Sequence, residues 1–279
     1  MKFRKLAHYL PEIEGYTHAT CPTWHDGVLY FSPRVAYTGR SQIWAAEFDP
    51  RTLEMGSPYL LLTEGEPGAF DDSGAMVSCI VADSSKVEMY YIGWNVGIRV
   101  PFRNSIGLAT LNGGRWRKAS GPVLDRSAYD PYFTASCWVL TNPYRMYYLT
   151  CTGWEWGSRH NYHIAYATTD STHRWNPTGL VMIPHTQEDW AISRPCVWED
   201  DGFHMLYSHR GDEYQLGYAS SVDGIHWERD DGAIEVERTD FDDRAQCYPM
   251  TFEYDGQRFL LWNGNNYGRT GFALGVQDD

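Results

Sequence analysis

The feature that most constrains the fold is a repeat of about fifty-five residues, which recurs five times along the 279-residue chain. Each unit has a polar start, a short apolar strand, a turn, an aromatic strand ending in polar residues, and a third strand of small residues. The first reads HATCPTW, HDG, VLYFS and SQIWAAEFD, and the second DDSGAMVSCIV, KVEMYYIGWN and NSIGLATL. The third reads DPYFTASCWVL, TNP, YRMYYLTCTGW and YHIAYATT. The fourth is SRPCVW, EDDG, FHMLYSHRG and YQLGYASS, and the fifth CYPMTFEY, DGQ, RFLLWNGNNYG and TGFALGV. Strands of five to eight residues joined by Asp-Gly and Asn-Pro turns account for every unit, and no amphipathic helix intervenes. This periodicity predicts an all-β fold, a five-bladed β-propeller, as a single domain over residues 1–279. Blades start near 18, 75, 133, 194 and 247. A sandwich or jelly roll is the alternative, but neither explains why IGLATL, IAYATT, LGYASS and FALGV look alike. The last unit lacks an outer strand, which residues 2–10 are expected to supply.

Composition narrows the partners. With 23 basic and 36 acidic residues the net charge is −13, which repels a phosphate backbone, so no nucleic-acid partner is expected. No apolar run approaches the 18 residues of a membrane span, so no membrane partner is expected. The N-terminal stretch MKFRKLAHYLPEIEG lacks the apolar segment of a signal peptide, which predicts a cytoplasmic location. Twelve Trp, 20 Tyr and 11 Phe exclude a disordered chain. The six cysteines read as reduced thiols. Five of them (Cys21, Cys79, Cys137, Cys196 and Cys247) fall one per blade in the strand that lines the channel, where small side chains fit. No CxxC or compact His-Cys spacing accompanies them, so no metal and no cofactor is expected, with a structural calcium in the channel as the alternative. The oligomeric state is not legible.

Propeller geometry locates a site. In each blade the first strand lines the channel and the second runs antiparallel to it, so the start of one and the end of the other emerge on the same face. Strand starts supply His18, Asp71, Asp72, Asp130, Tyr132, Ser193, Arg194 and Tyr248. Strand ends supply Trp94, Asn95, Trp154, Glu155, His209, Arg210, Asn263, Asn265, Asn266 and Tyr267. Rings beside amides, carboxylates and arginines suit a carbohydrate or sugar-containing small molecule, whose C–H faces stack while its hydroxyls take directional hydrogen bonds.

These units, with DPYF, SRPCVW, SVDGIHW and LLWNGNNYGRTGFALGV, resemble the five-bladed propeller glycosidase superfamily. That group holds the arabinanases and β-xylosidases of glycoside hydrolase family 43, the fructan enzymes of family 32 and the mannoside phosphorylases of family 130. FDDSG, YYIGWN, PFRNSIGLA, GPVLDRSAYDPYF, SRPCVWEDDG, DGIHW and NGNNYGRTGF resemble in addition a branch of about this size encoded near surface-polysaccharide genes. The resemblance spans essentially the whole chain and implies a glycosidase-like enzyme without a redox cofactor. Family 43 roles carry over unevenly. Cys21 precedes Pro22 where the family has its Asp base, Asp130-Pro131 matches the aspartate that tunes the acid, and Ser193-Arg194-Pro195 stands where Glu-Gly-Pro brings the general acid. Two alternatives follow: a non-catalytic glycan-binding propeller, and a phosphorylase in which Arg194, His209 and Arg210 hold phosphate.

Glycosyl transfer needs a proton donor and an acceptor. The catalytic candidates are Glu155 or Asp72 as donor and Asp130 as base or modulator. Plain roles compete with these: an Asx-turn for Asp72, strand entry before proline for Asp130, a solvated loop charge for Glu155. Arg194 and Arg210 would grip an anionic group or a hydroxyl pair, or else form salt bridges between blades. His18 and His209 would relay protons or cap strand ends. Trp94, Trp154 and Tyr267 would stack on the ligand or pack between blades, with Asn95, Tyr248, Asn263 and Asn265 completing the substrate-binding set. The acidic segment TDFDDR reads as a solvated turn, with a cation loop as its alternative.

Overall fold

The computed structural model describes residues 1–83, 85–155, 159–169 and 174–278. It is almost wholly β-structure, and its strand pairing follows the repeat. In the first set Tyr16–His25, Val28–Val35 and Ile43–Asp49 pair antiparallel, with Glu54–Met55 and Tyr59–Leu62 against the outer strand. The second set runs Gly74–Ala82, Val87–Val96, Phe102–Asn112 and Arg115–Lys118. The third holds Thr134–Thr141, Tyr144–Trp154, His160–Thr168 and Asn176–Ile183, and the fourth Ala191–Glu199, Phe203–Arg210, Tyr214–Ser221 and Trp227–Arg229. The fifth holds Cys247–Tyr254, Gln257–Asn263 and Phe272–Gln277. Its fourth place is taken by Lys2–Tyr9, antiparallel to Phe272–Gln277 from Phe3↔Gln277 to Tyr9↔Phe272, as the sequence leads one to expect, and the short strand Glu235–Val236 pairs parallel outside it.

The core lies between neighbouring sets rather than within them. Ile43 and Ala45 pack on Val77, Met89 and Tyr91; Tyr90 and Leu108 on Met146 and Tyr148; and Tyr147 and Ile164 on Val197 and Met205. Leu206 and Leu216 meet Leu260 and Trp262, and Leu261 and Leu274 return to Leu29 and Phe31 of the first set. Alternation of apolar positions on both faces of each sheet is what this packing requires.

Every innermost strand breaks register: at Thr17/Thr20, Val77/Cys79, Thr134/Cys137, Ser193/Cys196 and Cys247/Met250. A bulge frees a backbone N–H that must find another acceptor. Here the preceding set supplies it. Val77 N donates to Ser32 Oγ (3.0 Å), Cys137 N to Ser78 Oγ (2.7 Å), Arg194 N to Ser136 Oγ (3.1 Å) and Tyr248 N to Ser208 Oγ (2.7 Å). Cys21 N donates to Asn263 Oδ1 (2.8 Å), which joins the fifth set back to the first.

The segment read as a solvated acidic turn is different from that expectation. Asp242 is fully buried and accepts hydrogen bonds from Trp262 Nε1 (2.9 Å), Gln246 Nε2 (2.7 Å) and Thr239 N (2.7 Å), so it anchors the loop before the fifth set. All six cysteines are buried free thiols. Among the described residues no helix is long and apolar enough to cross a membrane, and no group of His, Cys, Asp or Glu is placed to hold a metal ion.

Candidate functional site

The bulges turn backbone and side chains toward one end of the inner strands. His18, Cys21, Arg194 and Tyr248 sit at φ 63°, 61°, 54° and 57°, in the left-handed region that costs a β-carbon-bearing residue about 1–2 kcal/mol. All four line one cavity of about 550 Å³, and the five strand sets all contribute to its wall. Trp94, Phe102, Phe133, His160, Tyr162, Tyr214 and Tyr267 give it rings, and Arg34, Arg194 and Arg210 give it charge. Among the described residues no carboxylate lines it.

Arg194 is only 5% exposed. Its Nη1 reaches 2.8 Å to the carbonyl of Val77 in the second set, and its guanidinium lies 5.9 Å from the Tyr248 ring. Arg210 is held between rings, 5.0 Å from Trp190, 5.2 Å from Tyr214 and 5.4 Å from Tyr267. Arg34 lies 6.0 Å from the Trp94 ring and donates to Gly39 O (3.3 Å). None of the three forms an ion pair among the described residues. The salt bridge between blades that competed for Arg194 and Arg210 is therefore absent there.

Burial, helped by Arg34 and Arg269, pushes the His18 imidazole down to about 4, so it is neutral at pH 7 and shares a hydrogen bond with Thr17 Oγ1 (2.9 Å). The hydroxyls of Tyr162 and Tyr214 bond to each other, and burial raises both phenols, Tyr214 to about 12. Both stay protonated at neutral pH. Ser193 Oγ is buried on the wall without a partner.

Of the expected binding residues, His18, Trp94, Arg194, Arg210, Tyr248 and Tyr267 meet in this cavity. The others lie elsewhere. Trp154 stands behind the wall, its ring 5.3 Å from Phe102, 5.8 Å from Phe133 and 4.7 Å from His160. Asn95 bonds to Ala69 O (2.6 Å) and Asp72 Oδ1 (2.7 Å). Asn263 is fully buried, spanning Cys21 N, Ala19 O and Gly271 O, and Asn265 clamps the amides of Arg244 and Ala245. His209 points into a separate open depression, 3.7 Å from both Asp189 and Asp231, which Arg229 bridges at 2.5 and 2.6 Å.

The three carboxylates singled out from the sequence do not line the cavity. Asp130 is fully buried and accepts from Tyr148 Oη (2.8 Å) and Ser127 Oγ (2.6 Å). Asp72 accepts from Asn95 Nδ2, Gly68 N and Ser73 Oγ, and the Asn95 bond leads in holding its carboxyl below the usual range. Glu155 is exposed, one residue beyond Trp154, and accepts from Asn161 Nδ2 (2.9 Å).

Arg34, Phe102, Asn104, His160, Tyr162 and Tyr214 escaped the sequence reading. Arg34 lies at the end of the second strand of its set, which runs three residues past the VLYFS segment taken for it. The others stand at the beginnings of third strands, which the antiparallel hairpin returns to the same face.

No protein-family model matches the chain. Over its full length it is 34% identical to "Uncharacterized protein MT1551" and 33% identical to "Uncharacterized protein Rv1502", both of Mycobacterium tuberculosis, and it covers all of each. A solved structure described as "Glycoside hydrolase" superposes on 99% of this chain and 91% of its own at a TM-score of 0.80 and 16% identity. An α-L-arabinofuranosidase from Lactobacillus brevis superposes on 95% of this chain and 91% of its own at a TM-score of 0.67 and 13% identity. The chain thus belongs to the family of the two mycobacterial proteins and carries the fold of the propeller glycosidases.

Proposed function

We propose that the five strand sets are the five blades of a propeller, and that the cavity where their inner strands converge seats the substrate of a glycosidase-like enzyme acting on a carbohydrate or sugar-containing metabolite. The observation that carries this reading is the cavity wall, where indole and phenol rings alternate with guanidinium, imidazole and hydroxyl groups. Such a wall offers a sugar both stacking faces and directional partners. The hydrogen bonds from set to set, which return from the fifth to the first, support the five-bladed reading. The fold shared with the arabinofuranosidase supports the enzyme class.

Catalytic carboxylates then come from the rim. Asp72, kept ionised by its hydrogen bonds, suits a base or charge stabiliser, which leaves the proton donor's place to Glu155, exposed beyond Trp154 and 3.6 Å from Arg159. Asp130, bound to Tyr148 and Ser127, acts as a positioning residue behind the wall. On this reading Glu155→Gln and Asp72→Asn each lower turnover of a cleaved glycoside at least about a hundredfold. Binding is tested by soaking crystals with a panel of monosaccharides, and density against Trp94 and Tyr267 is expected. Density elsewhere, or no binding of any sugar in solution, overturns the reading. The absence of a carboxylate from the lining favours a second reading, a glycan-binding propeller without turnover, which predicts sugar density but wild-type behaviour of both carboxylate variants.

A further inference from the structure

We propose that the sugar seated in this cavity carries a negatively charged group, a carboxylate or a phosphate ester, which Arg194 and Arg210 bind together. The inference rests on the cavity being a sugar seat and adds the charge of what sits there.

The arginine of the other depression, Arg229, bridges Asp189 and Asp231, while Arg145 reaches the carbonyl of Asp223 and Arg238 those of Asp242 and Asp243. In the cavity the arginines differ from Arg229 in having no carboxylate partner among the described residues. Arg194 is 95% removed from solvent, yet among the described residues its side chain meets the carbonyl of Val77 and the face of the Tyr248 phenol and no carboxylate. A buried guanidinium without a counter-charge is costly, and a binding site recovers that cost when an anion arrives. Two polar atoms of other residues lining the cavity also want partners: Ser193 Oγ, which donates and accepts, and Arg210 Nε, which donates, are both buried without one among the described residues.

A chain of rings links the two guanidiniums along the cavity. Tyr248 lies 5.9 Å from Arg194 and 5.7 Å from Tyr214, which lies 5.2 Å from Arg210, and both arginines line the cavity. Arg34 and Trp94 come from the first and second sets. An anionic substituent on the arginine wall leaves the sugar ring free to meet Trp94. Positive potential in the cavity also registers on His18, whose basicity Arg34 and Arg269 lower after burial has done so.

The test is calorimetric titration of the wild-type protein with matched neutral sugars, uronates and sugar 6-phosphates of glucose, galactose and mannose, with inorganic phosphate alongside. At least one charged member is expected to bind ten times or more tighter than its neutral counterpart, with the advantage shrinking in 0.5 M salt, about where screening becomes short-ranged. Whether the uronate or the phosphate wins identifies the group. Arg210→Gln, at a half-buried position, is expected to weaken binding of the charged member far more than that of its neutral counterpart, so that the tenfold advantage falls to about twofold or less. Equal binding of charged and neutral members overturns this inference and leaves the sugar seat standing. Binding of inorganic phosphate with no sugar overturns the sugar seat, and binding of nothing overturns both.

Discussion

His18 and His163 are imidazoles that burial pushes down to about 4, with Arg34 and Arg269 adding to the effect at His18 and His185 at His163. An unfolded chain protonates the same groups near 6.5. Between those values the unfolded state therefore binds protons that the folded state refuses, so stability falls as pH drops from about 6.5 and the loss is complete below about 4. Thermal melting followed from pH 7 to pH 4 should show Tm decline across this window, and His163→Gln should flatten the decline. An unchanged slope in the variant would mean that His163 is protonated in the folded protein as well. Other residues show where sequence reading stops. Arg194 and Trp94 were legible because a strand position fixed the face on which they emerge. Asp130 and Asn263 occupy equally good positions, yet Tyr148 and Ser127 claim the first and Cys21 N and Ala19 O the second. Periodicity says which face a side chain meets, and only the neighbouring sheet decides whether a hydrogen-bond partner has already taken it.

At the scale of elements, third strands were recognised by small residues, and the structure supplies the reason. Gly107 and Gly217 lie opposite Tyr91 and Tyr207 in register, and each tyrosine ring fills the space above its glycine. A β-carbon at Gly217 would stand 2.3 Å from the Tyr207 ring and 2.6 Å from Asp231 Oδ1, and one at Gly107 would stand 2.3 Å from the Tyr91 ring. Gly217→Ala is expected to cost about 1–3 kcal/mol in urea unfolding, because a packed ring must move. Gly121→Ala, where an added methyl meets nothing within 4 Å, is the control and should be near neutral. Equal stability of both variants would show that the ring yields freely. The outer strands Arg115–Lys118 and Trp227–Arg229 were illegible for the opposite reason. Their sequences, RWRK and WER, are short and polar, and pairing with a finished sheet holds them extended.

At the scale of the molecule, the fifth set is assembled from both ends of the chain. Phe272–Gln277 would present an open edge if Lys2–Tyr9 did not cover it, and an uncovered edge is a template for association. The covering strand also fills the core. Phe3 is fully buried with Leu260, Trp262 and Ala273, while Leu6 and Tyr9 pack on the cluster that joins the fifth set to the first. Phe3→Ala alone should then cost about 3–5 kcal/mol. Removing residues 1–10 takes away that burial together with a complete antiparallel ladder, which should affect the neighbouring sets as well because each packs on the next. The shortened chain is expected to aggregate, or to melt at a Tm lower by more than about 10 °C, a shift larger than a single core truncation gives in a chain of this length. Differential scanning calorimetry with size-exclusion chromatography of both forms decides the matter. A monomeric shortened chain with an unchanged melting profile would mean that the other four sets and the three remaining strands hold together without the N-terminal strand.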